Sequence, residues 1–117
     1  MKVEIYQLSG GRDPIGEYME SQDLKTRNKM LYHLERLENM DPSLLLRAGI
    51  LEKIRDSNPG VYEIKVSYNK KEHRIFGGFV RSAFWLVHAF TKKQQKTKDA
   101  DIALAEQRLR EIENQLT

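Results

Sequence analysis

Polar and apolar positions alternate along residues 2 to 8. Val3, Ile5 and Gln7 fall on one face and Lys2, Glu4, Tyr6 and Leu8 on the other, which predicts a strand. Ser9-Gly10-Gly11 breaks it. Asp13-Pro14 predicts a helix start, with the acid as N-cap and proline at the first helical position. From about Asp23 to Met40 the residues Met30, Leu31, Leu34, Leu37 and Met40 recur at spacings of three and four, one apolar stripe. The two pieces form either a helical hairpin or one kinked helix. Asp41-Pro42 ends that stretch and starts a short turn through Leu46, and residues 47 to 60 read as a connector closed by Asn58-Pro59-Gly60.

Three predicted strands follow. In Val61 to Tyr68, Tyr62, Ile64, Val66 and Tyr68 share one face, and Val61, Glu63, Lys65 and Ser67 the other. The second runs from about Glu72 to Val80, with Arg74, Phe76 and Gly78 on the face of Glu63 and Lys65. The third, Ala83 to about Thr91, is apolar on both faces (Phe84, Leu86 and Phe90; Trp85, Val87 and Ala89), which predicts a central position in the sheet. A helix from about Asp99 to Leu116 carries Ile102, Ala105, Leu109, Ile112 and Leu116 on one stripe. The order β-α-α-β-β-β-α predicts an α+β fold, a small antiparallel sheet packed against helices. The 117 residues read as one domain, without repeat or low-complexity segment.

Composition narrows the chemistry. The chain has no cysteine, which removes disulfides, thiolate metal sites and cysteine nucleophiles. Hydrophobic residues make up 39% and charged residues 32%, a globular balance without a membrane-spanning run. No signal-peptide core opens the sequence, so the expected compartment is the cytoplasm. The net charge of +3 hides an asymmetry. From Lys65 to Lys98 there are nine bases and one acid, a local +8, while the remainder carries 11 bases and 16 acids. That pattern suits an anionic partner at one surface. Lysines kept for solubility would look the same, and charge alone leaves the two readings even.

Phosphate-loop, nucleophile-elbow, dinucleotide and paired-histidine signatures are all missing, so an enzyme of this sequence is expected to need no metal and no cofactor. The polar face of the strands then holds the available chemistry: Glu63, Lys65 and Arg74, with Lys70 and Lys71 at the hairpin turn and Lys92, Lys93, Lys96 and Lys98 after the last strand. An arginine offers a bidentate fork to phosphate, and a lysine a point charge. Aromatic side chains among them suit a single-stranded RNA. His88, on an apolar strand, is either a satisfied core histidine or an acid-base group near the lysines.

Gly60-Val61-Tyr62-Glu63-Ile64-Lys65, then His73-Arg74-Ile75, then Leu86-Val87-His88-Ala89-Phe90-Thr91-Lys92-Lys93, then Lys96-Thr97 and a helix containing Ala103, Ala105 and Arg108, resembles the RelE/ParE toxin superfamily, and within it the phage-derived, HigB-like branch. The resemblance covers most of the chain. It implies a toxin of a type II toxin-antitoxin system that binds the ribosome and cuts messenger RNA, with a small helix-turn-helix antitoxin as partner. Oligomeric state is left open. It carries over Lys65, Arg74, His88 and Lys93 as the catalytic set, with Lys92 beside Lys93. The sequence departs from the pattern where His73 stands in place of a tyrosine and where Gly77-Gly78 replaces an apolar or aromatic pair, which would open the site to substrate or weaken activity.

On that resemblance the 2′-hydroxyl of a nucleotide attacks the adjacent phosphate. Arg74 would clamp the phosphorane with Lys93 beside it, Lys65 would be the base, Glu63 would orient Lys65 or replace it, and His88 would be the acid. Two other readings compete: a non-catalytic inhibitor that binds gyrase, as in the ParE branch, and an inactive phage-derived RNA-binding protein. Strand alternation further predicts Arg74 and Lys65 together on an exposed face.

Overall fold

The structure is a computed structural model, which describes residues 1–93 and 99–117. Among the described residues four helices and five strands are formed, in the order β1 (Lys2–Ile5), α1 (Pro14–Glu20), α2 (Leu24–Asn39), α3 (Pro42–Arg47), β2 (Glu52–Arg55), β3 (Val61–Tyr68), β4 (Lys71–Val80), β5 (Ala83–Lys92) and α4 (Asp99–Leu116). The three early helices each start on an aspartate. Asp13, Asp23 and Asp41 accept hydrogen bonds from the backbone N–H groups of Gly16, Thr26 and Ser43. Asp23-capped α2 is therefore a separate helix from α1, which resolves the expected stretch as a helical hairpin.

The sheet order is β1-β5-β4-β3-β2. Three neighbouring pairs are antiparallel, but β1 joins the edge of β5 in parallel, with Val3 opposite Phe84 and Ile5 opposite Leu86. The sheet is thus mixed rather than wholly antiparallel. Its centre is β4; β5 is interior, between β4 and β1, which accounts for its apolar character on both faces. The expected connector contains a strand, β2, whose Glu52-Lys53-Ile54-Arg55 is too polar to show an alternating pattern and lies on the sheet edge.

Each face of the sheet has its own core. On one, Ile64, Val66, Ile75, Phe84 and Leu86 meet Ile15 and Met19 of α1, Met30 and Leu37 of α2 and Leu45 of α3. On the other, Val61, Phe76, Val80 and Val87 meet Ile102, Ala105, Leu109 and Ile112 of α4. These are the α4 positions that the three-and-four spacing picks out. The face carrying Glu63, Lys65 and Arg74 is therefore roofed by α4 over part of its area. Among the described residues, no helix is long and apolar enough to cross a membrane.

One irregularity in the β4–β5 ladder sets the position of the site. Phe76 pairs with His88, but the next pair is Gly77 with Leu86, leaving Val87 as the extra residue of a β-bulge. A bulge shifts the alternation. Phe84, Leu86 and Ala89 face the α1–α3 core, whereas Trp85, Val87 and Phe90 belong to the α4 side. Strict alternation would place His88 with Leu86, and Phe90 there too. The bulge turns both to the face of Arg74. Gly77 permits this: a β-carbon there would lie 2.4 Å from the Trp85 carbonyl oxygen and 2.7 Å from the Phe84 ring. At Gly78 a β-carbon would lie 2.6 Å from the Gly60 carbonyl oxygen and 2.7 Å from Leu109. The double glycine thus serves close packing, and it opens no entrance for substrate.

Candidate functional site

Cross-strand register lays out the α4-side face beyond the end of its apolar core. Lys65 pairs with Arg74 and Arg74 with Phe90; one step along, Glu63 pairs with Phe76 and Phe76 with His88; in the other direction, Ser67 pairs with Glu72 and Glu72 with Lys92. Residues from β3, β4 and β5 thereby form one surface. Of the residues singled out from sequence, Glu63, Lys65, Arg74, His88 and Lys92 come together here, and Lys93 lies exposed just beyond the end of β5.

Arg74 is not exposed, contrary to expectation. Its side chain is 8% accessible, and its Nε lies 3.4 Å from Oε2 of the equally buried Glu63. Its Nη1 donates to Glu72 Oε2 at 3.1 Å and to the His73 carbonyl at 3.3 Å. An interior strand position keeps a guanidinium only when carboxylates surround it, and here two do. Glu72 is also the acceptor of a 2.6 Å hydrogen bond from the Ser67 hydroxyl. That bond first, and the Arg74 guanidinium second, hold the Glu72 carboxyl below the usual carboxylate range. Glu72 is half exposed whereas Glu63 is not, so of the two carboxylates beside Arg74 it is Glu72 that is open to solvent.

Lys65 is half exposed and bridges Glu52 at 3.3 Å and Glu63 at 3.8 Å. His88 Nε2 lies 2.8 Å from Asp101 Oδ1, in the first turn of α4. Its ring stacks on Phe90, with centroids 5.1 Å apart at 23°, and Phe76 meets both rings edge-on. The bulge itself is bolted to the helix: Arg108 Nη1 donates to the Val87 carbonyl at 2.7 Å. Arg55 of β2 reaches Asp99 at 3.6 Å and Glu106 at 3.7 Å, tying the same end of α4 to the sheet edge.

Two expected contacts, Lys70 and Lys71, fall elsewhere. Lys70 sits at the hairpin tip, where it and Asn69 adopt φ values of 64° and 52° in a two-residue turn without glycine. Lys71 opens β4 in register with His73 and Ile75 and so faces the α1–α3 side, where its charge acts on Asp23. Lys96 and Lys98 lie outside the described residues. His73, also on the α1–α3 side, is fully buried. The Tyr18 hydroxyl is hydrogen-bonded to its Nδ1 at 2.7 Å and to the Thr91 hydroxyl at 2.6 Å. Burial, with a smaller push from Lys71, holds His73 below its ordinary value.

Sequence reasoning missed Glu52, Glu72 and Asp101 as site residues. Asp101 reads as an ordinary acid at a helix start, and Glu52 lay in the supposed connector. Their presence changes the electrostatics. The local +8 counts one stretch of chain, but Glu52, Glu63 and Asp101 fold in from outside it and pair with Lys65, Arg74 and His88. Of the cations gathered on this face, Lys92 and Lys93 make no ion pair among the described residues.

The arrangement offers three things to a polyanion: ammonium groups at Lys65, Lys92 and Lys93, a guanidinium beside a solvent-exposed carboxylate, and an imidazole held by a carboxylate. The profile of a family described as "Phage derived protein Gp49-like (DUF891)" matches residues 17–110, from α1 through most of α4. Among curated proteins, none matches the chain.

Proposed function

The chain belongs to the Gp49-like family of phage-derived proteins, a family of toxins of type II toxin-antitoxin systems, and from that premise we propose a HigB-like, ribosome-dependent messenger RNA endoribonuclease. The observation that carries this reading is His88. The Val87 bulge aims it onto the face of Arg74 and Lys65, and Asp101 gives it a carboxylate partner. Arg74 and His88 are diagonal neighbours across β4 and β5, a separation of roughly 7–8 Å between backbones, which spans one phosphodiester.

The reaction starts from an unpaired nucleotide whose 2′-hydroxyl lies in line with the next phosphate. His88 takes the hydroxyl proton as the 2′-oxygen attacks phosphorus. The phosphorane carries extra negative charge, which Arg74 and Lys65 stabilise, Glu72 having swung away. The bond to the 5′-oxygen breaks, that oxygen takes a proton from Lys93 or from solvent, and a 2′,3′-cyclic phosphate and a free 5′-hydroxyl remain. Lys65, engaged by two carboxylates, is assigned as a charge and not as the base. Lys92 and Lys93 hold flanking phosphates. The ribosome supplies the ordered substrate, and positioning accounts for much of the rate. The partner that restrains this activity in the cell is an antitoxin, for which a small helix-turn-helix protein is the proposed class.

The test is purified chain added to ribosomes programmed with a defined message. Cleavage in the decoding site, with cyclic phosphate ends, is expected. Cutting of the same message free in solution at an equal rate would remove the ribosome as partner, and an intact message on ribosomes would remove the nuclease.

A further inference from the structure

We propose that Asp101 is a positioning residue that fixes the tautomer of His88, so that α4 decides whether the imidazole works as the base. The proposal deepens the nuclease reading and rests on it. An ionised carboxylate only accepts hydrogen bonds, so the histidine nitrogen facing it carries the proton. Asp101 Oδ1 lies 2.8 Å from Nε2. The proton therefore sits on Nε2, and Nδ1 keeps its lone pair. Among the described residues Nδ1 has no hydrogen-bond partner, and it is the atom that can accept the proton of an incoming hydroxyl.

Three further contacts hold the ring in this pose. Phe90 stacks on one side of it, and Phe76 meets it edge-on. Arg108, seven residues after Asp101 and so near the same stripe of α4, holds the Val87 carbonyl at 2.7 Å. One helix thus grips both the bulge that turns His88 and the nitrogen that must be protonated. When His88 accepts a proton, the carboxylate also faces the resulting imidazolium and stabilises it, as the buried aspartate does in a serine-protease triad. Without a carboxylate at residue 101 the ring can carry its proton on either nitrogen, and the fraction with Nδ1 protonated cannot act.

The experiment uses the full chain labelled with 15N at histidine, with the His88 signals identified by their loss in His88→Gln. In the unaltered chain the bare-nitrogen signal of His88 belongs to Nδ1. In Asp101→Asn, which keeps the shape but can donate as well as accept, it is shared between the two nitrogens. On programmed ribosomes Asp101→Asn lowers the cleavage rate by about a hundredfold or more, chiefly because the imidazolium loses its carboxylate and further because part of the chain holds the wrong tautomer, by analogy with the triad aspartate. Ribosome affinity and the urea unfolding midpoint stay near those of the unaltered chain, and Asp101→Glu regains part of the rate. An unaltered chain whose His88 bears its proton on Nδ1, or an Asp101→Asn variant that cleaves at full rate, overturns the proposal. If the unaltered chain cleaves nothing, the nuclease reading fails, and the tautomer comparison still decides whether Asp101 fixes the ring.

Discussion

Arg74 Nε and Glu63 Oε2 lie 3.4 Å apart on neighbouring strands, and neither side chain exposes a tenth of its surface. Arg74, the phosphate clamp of the proposed reaction, is thus also part of the sheet's internal electrostatics. The two roles separate experimentally, because removing one partner of a buried pair leaves the other charged and unsolvated, while removing both does not.

Arg74→Ala is therefore expected to cost about 3–5 kcal/mol of stability, through the stranded Glu63 carboxylate. The double variant Glu63→Gln with Arg74→Met should recover most of that loss and still fail to cleave message. Urea unfolding and cleavage on programmed ribosomes measure the two effects. Full activity in the double variant would show that the guanidinium has no part in the chemistry.

Gly77→Ala should destabilise the chain by about 1–3 kcal/mol, since its β-carbon would press on the Trp85 carbonyl, which is backbone and cannot swing aside. Relief requires the β4–β5 ladder to shift at the Val87 bulge, so the same substitution should disturb the His88–Asp101 contact. Unfolding curves and the His88 ring signals report the two. A variant with unchanged stability and unchanged signals would mean that the ladder tolerates a side chain there.

His73 gives the stability a pH dependence whose sign follows from burial. Its folded-state value lies below the ordinary 6.5, so the unfolded chain takes up the proton first as pH falls. Its contribution is complete above about pH 6.5 and declines as pH drops from there toward the folded-state value. His33, also pushed down by burial, acts in the same direction. Between about pH 7.5 and about pH 5.5 the urea midpoint should fall, and His73→Gln, which keeps a hydrogen-bonding partner for Tyr18 but does not titrate, should reduce the fall. An identical fall in the variant would contradict the assignment.

Binding to programmed ribosomes should weaken with salt, and the lysines should divide by the face they occupy. Each of Lys65→Ala, Lys92→Ala and Lys93→Ala should reduce the slope of log affinity against log salt by about 0.7–0.9, one phosphate contact each. Lys71→Ala, on the α1–α3 side, should leave it unchanged. Equal effects at all four positions would indicate a diffuse charge effect without a defined surface.

The elements with their own local signal were legible in the sequence. The α4 stripe and the starts of α1 and α2 were placed within a residue or so, because three-and-four spacing and aspartate caps are short-range facts. β3 was legible from alternation. β2 was not, since Glu52, Lys53 and Arg55 stay exposed and only pairing with β3 makes them a strand. The parallel seat of β1 was equally hidden, because nothing in Lys2–Ile5 says which edge it joins. In the site, Glu63, Lys65 and Arg74 followed from alternation, and register brought them together as expected. The position of His88 did not follow, because a single extra residue at Val87 reverses the alternation. The carboxylate partners Glu52 and Asp101 were invisible for a related reason: each is distant along the chain from the base it pairs, and only the fold makes them neighbours.

The proposed activity is the cutting of messages while they are being translated. Mapping message 5′ ends across the cell after induction tests it most directly, comparing the unaltered chain, the Glu63→Gln/Arg74→Met variant and cells in which initiation is blocked. New 5′-hydroxyl ends are expected inside coding regions, in register with codons, and they should vanish in the variant and when initiation is blocked. Growth arrest with intact messages would contradict it, as would cuts that persist on untranslated RNA.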